Sequence, residues 1–162
     1  MKLKPIQVLF ILYLMSLYYV LFLYERSMDF SWIVQGGWNT LLARQEDHLN
    51  LIFFSTILRY IQTMNYATGM RNIIVNIGGH MLMIAPFGFF LPRLHPRFQK
   101  LTFFIGVIIL IMFMIEGLQF ISMSGSFDVD DMLLNVIGAI IGFVFLRNPD
   151  KLERISHDRE IS

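Results

Sequence analysis

From Ile6 to Tyr24 not one residue is charged, and no feature of the chain limits its fold more. A helix rises 1.5 Å per residue, so about 20 residues cross the ~30 Å of bilayer hydrocarbon. Apolar runs of comparable character recur at Ile73 to Leu91 and Leu101 to Ile121, with a shorter one at Met132 to Leu146. Amphipathic helices of a soluble bundle would place charged residues at helical period through such runs; these have none of that pattern. Composition agrees: the 162 residues are 56% hydrophobic, with sixteen Phe, six Tyr and eleven Met, and the mean hydropathy is +0.59. The chain therefore reads as an all-α integral membrane protein with one helical bundle. It has about four transmembrane helices plus an interfacial or re-entrant helical segment.

Several function classes drop out at once. A net charge of +1 leaves no electrostatic footprint for nucleic acid. With no Cys there is no disulfide, thiolate metal site or Cys nucleophile. No GxSxG, P-loop, HExxH or glycine-rich dinucleotide fingerprint occurs. Ser122, Ser124 and Ser126 read as turn residues with no His nearby in sequence to activate them.

In chain order, residues 1–25 form an N-terminal transmembrane helix, too long and without the small-residue cleavage site of a signal peptide. Residues 26–71 form an external or interfacial segment. Within it Trp32 and Trp38 flank Gly36-Gly37 at headgroup level, and Leu49 to Met64 is either an interfacial or re-entrant helix or a poor fifth span. Residues 72–147 hold three transmembrane helices. The first, Ile73 to Leu91, is closed by Pro92 and kinked at Pro86. The last, Met132 to Leu146, either thins the bilayer locally or recruits the Asp-bearing turn before it as its first turn. Residues 148–162 form a polar tail.

Basic residues orient the bundle. With a cytoplasmic N-terminus, nine of the thirteen Lys and Arg residues fall inside and four, Arg26, Arg44, Arg59 and Arg71, fall outside. Both termini are then cytoplasmic, and the turn of aspartates before the last helix faces outward.

The costly polar residues concentrate between Glu116 and Asn135. Glu116 lies roughly 7–8 Å below the outer end of its span. A charge at the middle of a span costs ~2.5–3.5 kcal/mol, so it should face the bundle interior. Gln119 shares its face at i+3. Asp128, Asp131 and Asn135 share a face at i, i+3 and i+7, which turns Asp130 away toward solvent. Asn72, Asn76 and His80 descend at i, i+4 and i+8 from the same outer side, although a lone His on an apolar face is more often a packing residue. Three helices thus contribute polar faces to one outward-opening pocket.

Two chemistries suit such a pocket. Glu116 and Asp131 are candidates for a general acid and base; Asn72, Asn76, Gln119, Asp128 and Asn135 are candidate ligand-binding residues. Glu116, Asp128 and Asp131 could also supply carboxylate oxygens to Mg²⁺ or Ca²⁺, although the sequence requires no cofactor. Against these stands a structural polar network in which Asp128 or Ser126 caps the last helix. Gly138 and Gly142 form a GxxxG spacing that allows close helix packing and suggests a homo-oligomer.

The pattern Asn72-x3-Asn76, then Ala85-Pro86-Phe87-Gly88-Phe89-Phe90-Leu91-Pro92, then Glu116-x2-Gln119, then Asp128-Val129-Asp130-Asp131-x3-Asn135-x2-Gly138-x3-Gly142 resembles the VanZ-like family. Leu49 to Phe54 resembles that family's Asn-Leu-x-Pro-Phe segment, with Ile-Phe where Pro is common. The resemblance runs from about residue 50 to 146. It departs at Gly125, where the family often carries Arg.

The resemblance implies a multi-pass protein of the bacterial plasma membrane, related to accessory proteins of teicoplanin-type glycopeptide resistance. Three functions compete. The first is a pocket that binds or modifies an envelope lipid or lipid-linked glycan, whether or not it is an enzyme. The second is a non-enzymatic membrane interaction and assembly module. The third, disfavoured by the lack of an inverted repeat, is a small ion or proton relay using Glu116 and His80.

Overall fold

The computed structural model describes residues 4–24, 28–62 and 67–146, with the side chains of residues 60, 67–73, 75 and 146 outside the description. Four long helices make the bundle: α1 (Pro5–Tyr18, continued by a π-helical turn Tyr19–Leu23), α5 (Ala67–Leu94), α6 (Leu101–Ile121) and α7 (Val129–Leu146). Three short ones lie between α1 and α5: α2 (Trp32–Gln35), α3 (Trp38–Gln45) and α4 (Ser55–Gln62). Among the described residues, Pro5–Leu23, Asn76–Leu94 and Leu101–Ile121 are long and apolar enough to cross a membrane. The fourth, α7, has 18 residues, about 27 Å by its rise per residue. The protein is thus an all-α membrane bundle.

One boundary differs from expectation, and two open alternatives are decided. Helix α5 runs through Pro92 to Leu94 instead of stopping before it. A proline two residues before a helix end removes only one backbone hydrogen bond, and the Arg93 guanidinium donates to the Phe89 carbonyl nearby. Helix α7 begins at Val129, so the aspartate turn is its first turn. The stretch around Leu49 to Met64 makes no fifth span among the described residues. Its helix α4 is eight residues long, or about 12 Å. The tail 148–162, Arg26 and the side chain of Arg71 lie outside the described residues.

The core forms where helix stripes meet. On α6, Phe104, Ile108 and Met112 are buried at successive i+4 steps, and Glu116 and Gln119 continue the same stripe. They pack with Ile84, Phe87 and Leu91 of α5, Ala139 and Phe143 of α7, and Leu17, Leu21 and Phe22 of α1. The α5–α7 pair is the most intimate. A Cβ on Gly138 would collide with the backbone of Met81, one on Gly142 with Ala85, and one on Gly88 with Gly142 and Phe143. Small residues let helix backbones touch where lipid offers no hydrophobic drive to bring them together. Gly138 and Gly142 are buried within the chain, where their GxxxG spacing serves the contact with α5.

The segment from Met28 to Asn50 seats on the end of α6 for a hydrogen-bonding reason. A helix leaves its last four carbonyls without intrahelical partners. Here Gln45 Nε2 donates to Phe120 O (2.8 Å), Trp32 Nε1 to Ile121 O (2.9 Å) and the Asp29 amide to Ser122 O (2.8 Å). Leu49 and Asn50 then form a two-residue parallel pairing with the α6–α7 connection, Leu49 opposite Phe127 and Asn50 opposite Asp128.

Candidate functional site

Three helix stripes change from apolar to polar at the same end of the bundle. Ile84 gives way to His80 and Asn76 on α5, Met112 to Glu116 and Gln119 on α6, and Ala139 to Asn135 and Asp131 on α7. These six polar residues line one cavity of about 420 Å³. Five of the seven predicted site residues therefore meet, together with His80, for which a packing role is the more frequent expectation. Asn72, the remaining α5 candidate, has its side chain outside the described residues.

Inside the cavity, His80 Nε2 lies 3.5 Å from Asp131 Oδ2. Glu116 is buried, and its Oε2 accepts the Asp128 amide at 3.3 Å. Gln119 Nε2 donates to Leu21 O at 3.0 Å, which ties the π-turn of α1 to α6. The π-turn that ends α1 makes this helix a wall of the cavity through Val20, Leu21 and the C-cap Tyr24. Two buried polar atoms, His80 Nδ1 and Asn135 Oδ1, have no hydrogen-bond partner among the described residues. Leaving a buried polar atom unpaired costs ~1–3 kcal/mol, so each is expensive for a purely structural network.

Asp128 does not line this cavity, although it shares a helical face with Asp131 by spacing. It is the N-cap of α7: its Oδ1 accepts the Asp130 amide at 2.8 Å. The same carboxylate accepts Asn50 Nδ2 (3.0 Å) and Thr56 Oγ1 (2.7 Å). The candidate cation ligands Glu116, Asp128 and Asp131 accordingly do not form one cluster. Among the described residues no group of three or more His, Asp or Glu side chains is placed to hold a metal ion.

Asp130 reverses the expectation of a solvated side chain. It is 0% exposed, and its oxygens accept the amides of Phe54 (2.6 Å), Thr56 (2.8 Å) and Ile57 (3.3 Å). Those are the N–H groups a helix leaves unpaired at its start, and a carboxylate there also meets the positive end of the helix dipole. Asp130 thus caps α4 from another helix. Phe54 is held at φ +67 beside it, a conformation unfavourable for a bulky residue, which the Asp130 contact helps to fix.

Sequence reasoning missed Asn50, Thr56 and Asp130 as one unit. Periodicity pairs residues within a helix and is silent on the loop that crosses a helix start. The available signal was chemical: Asn50, Ser55 and Thr56 are residues that bind backbone and carboxylate groups at helix starts, and Ser55 Oγ donates to Asn50 Oδ1 at 2.7 Å.

A family model described as VanZ/LLP1 matches residues 10–149. No curated protein and no solved structure gave a significant match. The matched range takes in most of α1, the three short helices and all three later long helices, with both the cavity and the aspartate staple, the Asp128 and Asp130 carboxylates that tie the starts of α7 and α4 together. The chain belongs to the VanZ/LLP1 family.

Proposed function

We propose that the protein binds, through this cavity, the polar head of a cell-envelope lipid or lipid-linked glycan. The observation that carries this reading is the meeting of Asn76, His80, Glu116, Gln119, Asp131 and Asn135 around about 420 Å³ at one end of a membrane bundle. The unpaired Oδ1 of buried Asn135 supports it, because a bound polar group would supply the missing partner. Intramembrane ionisable residues mark functional sites by default. Glu116 and the His80–Asp131 pair are also the groups that would act as acid and base if the bound molecule is chemically altered.

The orientation belongs to the same proposal. The bias of Lys and Arg toward the termini and the Arg93–Lys100 loop supports an orientation with both termini in the cytoplasm of a bacterial cell and the cavity at the outer face of the plasma membrane. In that frame residues 1–25 are an N-terminal helix, 26–71 an outer cap, 72–147 the core and 148–162 a cytoplasmic tail. A link to teicoplanin-type resistance follows from family resemblance, through an envelope component held or modified at the cavity.

The test is a susceptibility assay with a teicoplanin-type glycopeptide in a deletion background. Glu116→Gln and Asp131→Asn should insert and accumulate as wild type yet fail to restore the phenotype. If both variants restore it fully, the cavity plays no part in that function.

A further inference from the structure

The cavity is graded in polarity along the bundle axis. Its upper walls carry Asp131, Gln119 and Ser126; its deeper walls carry Met83, Ile84 and Met112. Met112 lies nine residues before the end of α6 at Ile121, about 14 Å deeper by the helical rise. A site for a water-soluble head alone has no use for an apolar floor at that depth, because desolvating apolar wall gains nothing from a polar guest. A lipid of the surrounding leaflet has the same gradient, polar at the interface and hydrocarbon below.

One wall also reaches the lipid side. Val20 and Tyr24 of α1 line the cavity and are nonetheless 41% and 52% exposed. Helix α1 buries the smallest share of its span of the three candidate spans. The Gln119–Leu21 hydrogen bond holds its π-turn against α6 at cavity level, and the Tyr13 hydroxyl holds it to Met83 O further down.

From this we infer that the cavity is loaded sideways from the outer leaflet, past α1, by a membrane lipid that keeps its own orientation. Its head lies among the polar side chains, and the first part of its acyl chain lies against Met112, Met83 and Ile84. The seam beside Val20 is the entrance, and Gln119 is a positioning residue that keeps the π-turn of α1 in place. This inference rests on the cavity being a head-group site and adds the route and the class of ligand.

The full chain, reconstituted in vesicles of phosphatidylethanolamine and phosphatidylglycerol, tests it. A fraction of the lipid carries a diazirine high on one acyl chain, and adducts are mapped by mass spectrometry after illumination. Helix α6 contains its own control, since Leu110 is 58% exposed and Met112 only 1%. Sideways entry predicts adducts on Met112 and Ile115 as well as on Leu110. Val20→Trp, which fills the entrance, should abolish the Met112 and Ile115 adducts and leave those on Leu110. Labelling of Leu110 alone in the wild-type protein overturns the route. A Ser126→Cys variant then separates the remaining cases, because the chain has no other Cys. Reaction with a charged, membrane-impermeant thiol reagent would show a cavity filled from water, so the head-group reading survives and the lipid route does not. No reaction and no inner adducts would remove both.

Discussion

Four carboxylates lie between Glu116 and Asp131, and they divide into two pairs with opposite surroundings. Asp128 and Asp130 are saturated with donors: between them they accept the amides of Phe54, Thr56, Ile57 and Asp130 itself and the side chains of Asn50 and Thr56. Glu116 and Asp131 face a cavity whose walls include the unpaired Oδ1 of Asn135. Both pairs are costly to place at a membrane surface or below it. The first repays its cost in structure by fixing where α7 starts and where α4 starts. The second leaves a polar concavity that packing alone does not require. Carboxylates close in the fold thus do different work: Asp128 and Asp130 bind the N–H groups at two helix starts, whereas Glu116 and Asp131, bonded to the Asp128 amide and placed beside His80, also line a cavity.

The largest effect should come from the staple. Asp130→Ala removes the carboxylate partner of three half-buried amides, and hydrogen bonds to a charged group are worth ~1.5–3 kcal/mol each. A loss of at least about 3 kcal/mol is expected from that principle, read as thermal unfolding in lipid nanodiscs. Asp130→Asn, which keeps one acceptor oxygen, should fall between Ala and wild type. Asp128→Ala comes next, at about 2 kcal/mol for an N-cap with additional side-chain partners. A double-mutant cycle with Thr56→Val should show coupling between the two sites, and strict additivity would mean the 2.7 Å contact contributes nothing.

Glu116→Gln and Asp131→Asn should be milder still in stability, about 1 kcal/mol, since each retains an acceptor of the same shape. Their loss belongs in the susceptibility assay instead. A cavity variant as damaging to folding as Asp130→Ala would erase the distinction between the pairs.

A fifth carboxylate sets the lower end of the scale. Asp29 is half-exposed in the segment between α1 and α2, and the Ser31 amide at 2.7 Å, then the Ser31 hydroxyl and Arg44, hold its pKa below the ordinary 3.8. A lowered folded-state pKa contributes stability above the unfolded value and loses it as pH falls through the folded one. The cap should therefore loosen slightly only below pH 3.8, and Asp29→Asn should remove that acid sensitivity in hydrogen exchange of residues 29–45.

Much of this was legible in the chain. Uncharged runs of spanning length fixed the class, and helical spacing brought Asn76, His80, Glu116, Gln119, Asp131 and Asn135 to one place. The stripe Phe104, Ile108, Met112, Glu116 even points at the site, because a carboxylate in register with a core stripe has to meet the interior. What spacing could not supply was contact between elements. Asp130 looked solvated because it leaves the Asp131 face, and no periodicity shows that a loop from Asn50 to Ile57 covers that side. Gly138 and Gly142 announced a close neighbour without saying that it was α5 of the same chain.

The most direct measurement is a side-by-side unfolding and susceptibility comparison of Asp130→Asn and Glu116→Gln in the same membrane background. Asp130→Asn should unfold at a clearly lower temperature and lose function only in proportion to the folded protein that remains. Glu116→Gln should unfold close to wild type with no function. A Glu116→Gln protein that is well folded and fully functional, beside an Asp130→Asn protein that is well folded and inactive, would contradict the division and move the site to the aspartate staple.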